Sequence, residues 1–189
     1  MACTLVLPDN ITYSCNDVAI GGIIELHISN RAAALAGTIL TKVDADRTIT
    51  DGTALSPADV MQISFNNKDG FSVFSEVKTV SADGVVATVP TISVELPKMT
   101  TEKITALNDI SKGGAELVAF VRTAAGTYHV VGLDYGLYAG TVDGNSGTGR
   151  SEKNRFQLTL TGDEQGLSYG IEGATEAAVK TIFDTIVGN

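Results

Sequence analysis

Histidine and cysteine are almost missing from this sequence, with two of each among 189 residues. These types supply most zinc ligands and many catalytic bases. His27 and His129 each sit in an alternating, strand-like pattern without a local Ser, Cys or carboxylate partner, so a sheet histidine is expected at both. Cys3 and Cys15 lie twelve positions apart, a spacing that fits no zinc signature; two free thiols are expected, with a bridge across a hairpin as the alternative. Basic residues are also in the minority, 13 Lys and Arg against 22 Asp and Glu, for a formal charge of −9. Gripping phosphate needs clustered cations, so an outer surface built to hold nucleic acid is excluded, whereas an acidic conduit along which DNA slides is compatible. No apolar run reaches the roughly 18 residues of a spanning helix, and MACTLVLPDN has no basic leader. No membrane partner and cytoplasmic synthesis without a cleaved signal are therefore expected.

What is present suits a folded chain: 43% hydrophobic and 19% charged residues, enough for one β-rich domain over residues 1–189 with a single substantial core. Ile24 to Ile28 alternates as a strand does, preceded by Gly21-Gly22 as a bulge signal. Arg31 to Gly37 is alanine-rich, one helical turn or a loop. Thr38–Val43, Asp46–Asp51 and Val60–Phe65 read as short strands, followed by an Asn67-Lys68-Asp69-Gly70 turn. Phe71–Val80 and Val85–Val94 form a hairpin across Ser81-Ala82-Asp83-Gly84, and Pro90 marks an edge or a bulge because proline lacks an N–H. Met99, Ile104, Leu107 and Ile110 give a helical stripe, predicting a helix over Thr101–Lys112 with Thr100 or Thr101 as its N-cap and Gly113-Gly114 as its stop. A second helix is predicted within Ala174–Val187. Alternation in LVAFVR, Tyr128–Val131 and Phe156–Leu160 predicts strands with one buried face.

Motifs for chemistry fail on detail. Gly140, Gly144, Gly147 and Gly149 lack a Gly-Lys-Ser/Thr ending and precede a strand rather than a helix, so a mobile loop or inter-subunit arm over Ala139–Ser151 is expected instead of a phosphate cradle. Asp44, Asp46 and Asp51 lack the Gly and the terminal Glu of a calcium loop, and Asp163-Glu164 reads as a turn or a solvated patch. Asn10-Ile11-Thr12 is taken as a chance glycosylation match. Lys103 and Lys112 read as the polar face of the first predicted helix. No enzyme, cofactor or metal is expected.

The order of helix Thr101–Lys112, strand Leu117–Val121, turn Ala124-Ala125-Gly126, strand Tyr128–Gly132, long loop and return strand Phe156–Thr161 resembles phage tail tube proteins and their relatives in contractile injection systems. Gly132-Leu133-Asp134-Tyr135-Gly136-Leu137-Tyr138, then Gly-rich residues and FQLTLTGDE, also looks like phage virion structural proteins. The resemblance covers the C-terminal half. It implies a mainly β fold, a β-sandwich or open β-barrel with one central and one C-terminal helix. Its strands would join neighbours into hexameric rings, stacking into a tube that conducts DNA as passing cargo. Partners would be further copies of the chain and other tail or head proteins, in a virion assembled in the host cytoplasm. Gly140, Asp143, Gly144, Asn145, Gly147, Gly149 and Arg150 become the inter-subunit loop candidates, and deleting Ala139–Ser151 should impair oligomerisation while leaving the monomer folded. The alternatives are a capsid decoration or head-to-tail connector protein, and a glycan- or ligand-binding β-sandwich using Tyr128, Tyr135 and Tyr138 for stacking.

Overall fold

Leu117–Thr123 (β7) is the strand around which the chain is organised. Its run Leu117-Val118-Ala119-Phe120-Val121 is buried at every position, so the single covered face expected from alternation is replaced by two. Leu117, Ala119 and Val121 enter one apolar cluster, and Val118 and Phe120 enter another. A strand covered on both sides has no use for polar positions. The computed structural model describes residues 21–36, 39–64, 72–80, 83–147, 152 and 154–188; Cys3, Cys15, Asn10 and the Asn67–Gly70 turn lie outside them.

β7 belongs to a seven-stranded sheet in the order β2 (Leu40–Val43), β3 (Thr48–Gly52), β11 (Tyr169–Ile171), β8 (Tyr128–Val131), β7, β1 (Ile23–Asn30), β4 (Val60–Ser64). Neighbours are antiparallel except β3 and β11. The bulge signalled by Gly21-Gly22 falls between Ile23 and Glu25, where the β1–β7 register shifts. The β7–β8 hairpin turns at Gly126, which takes a φ of 82° open to glycine. A second sheet has four strands in the order β5 (Ser72–Val80), β6 (Val86–Pro97), β10 (Arg155–Thr161), β9 (Tyr138–Asn145), all antiparallel.

The two sheets face each other. Leu26, Ile28, Ala119 and Val121 from the first meet Ile92, Val94, Leu158 and Leu160 from the second. The fold is thus mainly β and sandwich-like, with no closed barrel among the described residues. On the far side of the large sheet lies α3 (Glu176–Val187), whose Phe183, Ile186 and Val187 pack on Ile49, Phe120 and Val130. Full burial of Phe183 and Ile186 contributes about 2–3 kcal/mol each. Thr175 caps α3 by accepting from the Ala178 N–H, and Gly188 ends it in the left-handed region at φ 76°. α1 (Arg31–Ala34) is a single turn capped by Asn30. α2 (Thr101–Ile110) is capped by Thr100 and presents Leu107 to the core beside β4 and β6.

Three expectations need correction. The stretch expected to be a loop from Ala139 is a strand: Tyr138–Asn145 pairs with β10 along its length. Its glycines answer to packing, because a Cβ at Gly144 would stand 2.9 Å from Phe156 Cε1 and 3.0 Å from Met99 Cε, and Gly140 sits at the register shift beside Thr161. Pro90 is not on an edge strand. It stands in β6 opposite Gly162, where the ladder to β10 is interrupted before resuming in the same register at Thr88 and Glu164, so no N–H is required of it. Glu164, expected in a turn or a solvated patch, is 5% exposed. β11, only three residues long, carried no strand signal strong enough to be expected.

Candidate functional site

The buried and half-buried titratable groups His27, His129 and Glu164 are engaged in contacts between strands and layers. His27 is fully buried on β1, with Nε2 2.9 Å from Glu25 Oε1 and its ring edge-on to Phe183 at 5.7 Å between centroids. His129 on β8 belongs to a chain of polar contacts. Its Nδ1 is 3.2 Å from Ser168 Oγ and its Nε2 is 3.0 Å from Thr127 Oγ1. Ser168 in turn donates its hydroxyl to Glu76 Oε2 at 2.9 Å and its backbone N–H to Glu76 Oε1 at 2.6 Å. A nucleophilic serine needs its proton taken by the imidazole. Here the carboxylate takes it, so the set ties β5 to the large sheet and gives no activated hydroxyl. Burial pushes the His129 pKa below its ordinary 6.5, against the raising effect of Glu76.

Glu164 bridges the two layers. Its backbone exchanges hydrogen bonds with Thr88 at 2.9 and 2.8 Å. Its carboxylate accepts the backbone N–H groups of Asp134, Tyr135 and Gly136 at 2.9, 3.1 and 3.3 Å, holding the connection that leads from β8 into β9. Burial pushes its pKa above the ordinary carboxylate value, opposed by these donors. Nearby, Tyr169 gives its hydroxyl to Asp44 (2.9 Å) and Asp134 (3.2 Å), and its ring lies 4.2 Å beneath the Arg47 guanidinium. Arg47 Nη1 is 3.0 Å from Asp134 Oδ2, but that oxygen has no aligned hydrogen bond, so the attraction is ionic. Lys42 pairs with Asp44. Asp44 is therefore spent on Tyr169 and Lys42, Asp51 accepts the Gly52 N–H at 2.8 Å, and no group of three or more His, Cys, Asp and Glu suited to a metal ion occurs among the described residues. No helix among the described residues is long and apolar enough to cross a membrane. Lys112 pairs with Asp109 on α2, and Lys103 donates to the carbonyls of Pro97 and Lys98.

The other candidate feature is a pair of strand edges. β9 pairs only with β10, and β5 only with β6, among the described residues. β9 is exposed at every position but Ala139. Which of its backbone groups are free follows from the register. Thr88 and Glu164 exchange both hydrogen bonds, so with the β6–β10 register unbroken, Phe156, Leu158 and Leu160 face β6, while Arg155, Gln157 and Thr159 face β9. Their partners Asn145, Asp143 and Thr141 therefore use their N–H groups on β10, leaving the N–H groups of Gly144 and Val142 on the open edge.

Of the inter-subunit candidates, Gly140, Asp143, Gly144 and Asn145 fall on β9 and Gly147 just beyond it, at φ 76° against Glu152; Gly149 and Arg150 lie outside the described residues. Asp143 and Asn145 share the outward face of the small sheet with Thr91, Ser93, Gln157 and Thr159, where Arg155 pairs with Glu95. This face is rich in hydroxyls and poor in unpaired charge. Of the three stacking candidates, Tyr128 is buried against Phe183, and Tyr135 and Tyr138 are exposed. The β5 edge was not singled out from the sequence; the signal for it was the valines at 77, 80, 85 and 86 around Asp83-Gly84. Comparison with known proteins finds no family model, no curated protein and no solved structure that matches this chain.

Proposed function

We propose that the protein is a virion structural component that self-assembles through the edges of its four-stranded sheet into hexameric rings, which stack into a tail tube conducting DNA. The observation that carries the reading is the pair of open edges, β5 and β9, on one sheet of even strand number. Because β5, β6, β10 and β9 alternate in direction, β5 and β9 run opposite ways. A copy placed beside the first can then lay its β5 against β9 and continue the antiparallel ladder without reversal. Such a contact joins two different surfaces of the same chain, and repetition by a rotation that closes makes a ring. The hydroxyl-rich outward face suits a wall that cargo slides past, since it has no cluster of cations to hold phosphate. Light scattering of the purified protein over micromolar concentrations, with electron microscopy of the same samples, tests this. Rings or tubes are expected; a strictly monomeric species throughout contradicts it.

A further inference from the structure

Among the described residues the two sheets end in β2, β4, β5 and β9, and β4 is the least guarded of these edges. Charge, proline or a bulge normally protects an edge, because its free N–H and C=O groups invite another strand. β2 carries Lys42, β5 carries Glu76 and Lys78, and β9 carries Asp143 and a register shift. β4 is Val60-Met61-Gln62-Ile63-Ser64, without a charge, proline or glycine, and it pairs with β1 without a shift. The register fixes which of its backbone groups are free. Leu117 exchanges hydrogen bonds with Leu137, so β7 turns Leu117, Ala119 and Val121 towards the β8 side and Val118, Phe120 and Arg122 towards β1. Ser29, His27 and Glu25 answer these, which leaves Leu26 and Ile28 to bond Ile63 and Met61. Gln62, between those two, therefore directs its N–H and C=O to the open edge.

An apolar hollow runs beside this edge. Two clefts, of about 420 and 330 Å³, meet at Met61 and Ala106 where α2 lies beside β4. Ile28, Ile63, Leu96, Leu107 and Ile110 line them, on the same side of the large sheet as Met61. Of the charged residues in the lining, Asp59, Glu102 and Asp109 are exposed to solvent, and Lys103 donates to the carbonyls of Pro97 and Lys98. A strand laid against β4 bonds Gln62 through its backbone and sends alternate side chains into the hollow, so those positions have to be apolar and need no charge.

One stretch of this chain outside the described residues has that pattern. MACTLVLP, residues 1–8, has no charged side chain, and Cys3, Leu5 and Leu7 alternate with Thr4 and Val6. Residues 65–71 bring Lys68 and Asp69 instead. The N-terminal stretch also enters at the right place, since it joins the sheet at Ile23, at the end of β1 that lies beside Ser64 of β4. The chain from Gly21 back to Leu7 can span about 46 Å when extended, against about 17 Å for the length of β4. Tethered in this way, the segment meets its own cleft at an effective concentration of about a millimolar, above that of a second copy in micromolar solution. We infer that Cys3–Leu7 adds to the open edge of β4 in its own chain, with Leu5 and Leu7 seated in the α2–β4 cleft. The contact belongs to the large sheet and does not rest on edge pairing by the small one.

Amide hydrogen exchange on the full chain, resolved by residue, tests this, because Gln62 faces the added strand while Met61 and Ile63 face β1. In the unaltered protein the Gln62 N–H should exchange at least tenfold more slowly than an unprotected amide, at a rate independent of protein concentration. Leu5→Asp and Leu7→Asp, each taken singly, should return Gln62 to the unprotected rate and leave Met61 and Ile63 protected. A Gln62 amide that is unprotected in the unaltered chain, or one that stays protected in both variants, overturns the inference. Protection that rises with protein concentration overturns it too, by showing a second copy as the occupant. Should the variants release Met61 and Ile63 as well, the alkylation rate of Cys3 in the unaltered, reduced chain decides. Cys3 shares its face with Leu5 and Leu7, so alkylation at least tenfold slower than in the urea-unfolded chain supports the added strand, and an equal rate overturns it. Rings seen by electron microscopy report on β5 and β9 separately and are expected to persist in both variants.

Discussion

Two titratable side chains, the half-buried His129 and the buried Glu164, give the protein a pH response with opposing parts. His129 has its folded pKa lowered by burial from 6.5, so between that lowered value and 6.5 the unfolded chain binds the proton and the folded one does not. Stability contributed by neutral His129 is therefore lost as pH falls through 6.5. His129→Gln should flatten this part of the profile, measured as denaturant midpoints from pH 7.5 down to about 5.5. Glu164 acts the other way: its pKa is raised from 4.5, so the folded state holds the proton through a window above 4.5 and loses stability as pH rises through it. Removing the carboxylate has a larger effect than titrating it. Glu164→Ala leaves three N–H groups of the 134–136 connection without their acceptor and should cost about 3 kcal/mol, read as a lowered denaturation midpoint. Gly144→Val must push against Phe156 and Met99 and should cost about 1–3 kcal/mol by the same measurement. A conformational role for Gly144, as in a mobile loop, would predict almost no change.

At the scale of elements, the open edge of β9 is tested by a single proline. Val142 directs its N–H away from β10, so Val142→Pro removes a donor from the open edge without breaking the ladder inside the sheet. Assembly should fall at least tenfold by light scattering while the circular dichroism spectrum and melting stay near those of the unaltered protein; full assembly would show that this edge is not used. The test replaces a deletion of Ala139–Ser151, which would strip a paired strand from the side of Phe156 and Leu158 and unfold more than it informs on. Much of the element list was legible because local chemistry was explicit: Thr100 and Gly113-Gly114 around α2, Gly126 in the β7–β8 turn, Asp83-Gly84 in the β5–β6 connection. β9 was hidden because glycine is read as freedom, whereas Gly144 is there to let Phe156 and Met99 approach. Glu164 was hidden because its partners are backbone groups some thirty residues earlier, which no local pattern shows.

For the whole molecule, the layering was only half visible. The strand periods pointed to a sheet with one covered face, but the solid burial of β7 follows from α3 closing the far side, and α3 is more than fifty residues later in the chain. The same long-range closure leaves the small sheet, among the described residues, as the layer without a helix on its outer face and with open edges at β5 and β9. The proposed assembly uses the longer pair of edges: β5 and β9 run nine and eight residues, against four and five for β2 and β4, the end strands of the large sheet. An electron-microscopy reconstruction of the assembled protein, at a resolution that separates strands, tests this most directly. It should show one antiparallel sheet running from copy to copy with β9 of each beside β5 of the next; an assembly in which both edges face solvent, or no assembly at all, would contradict it.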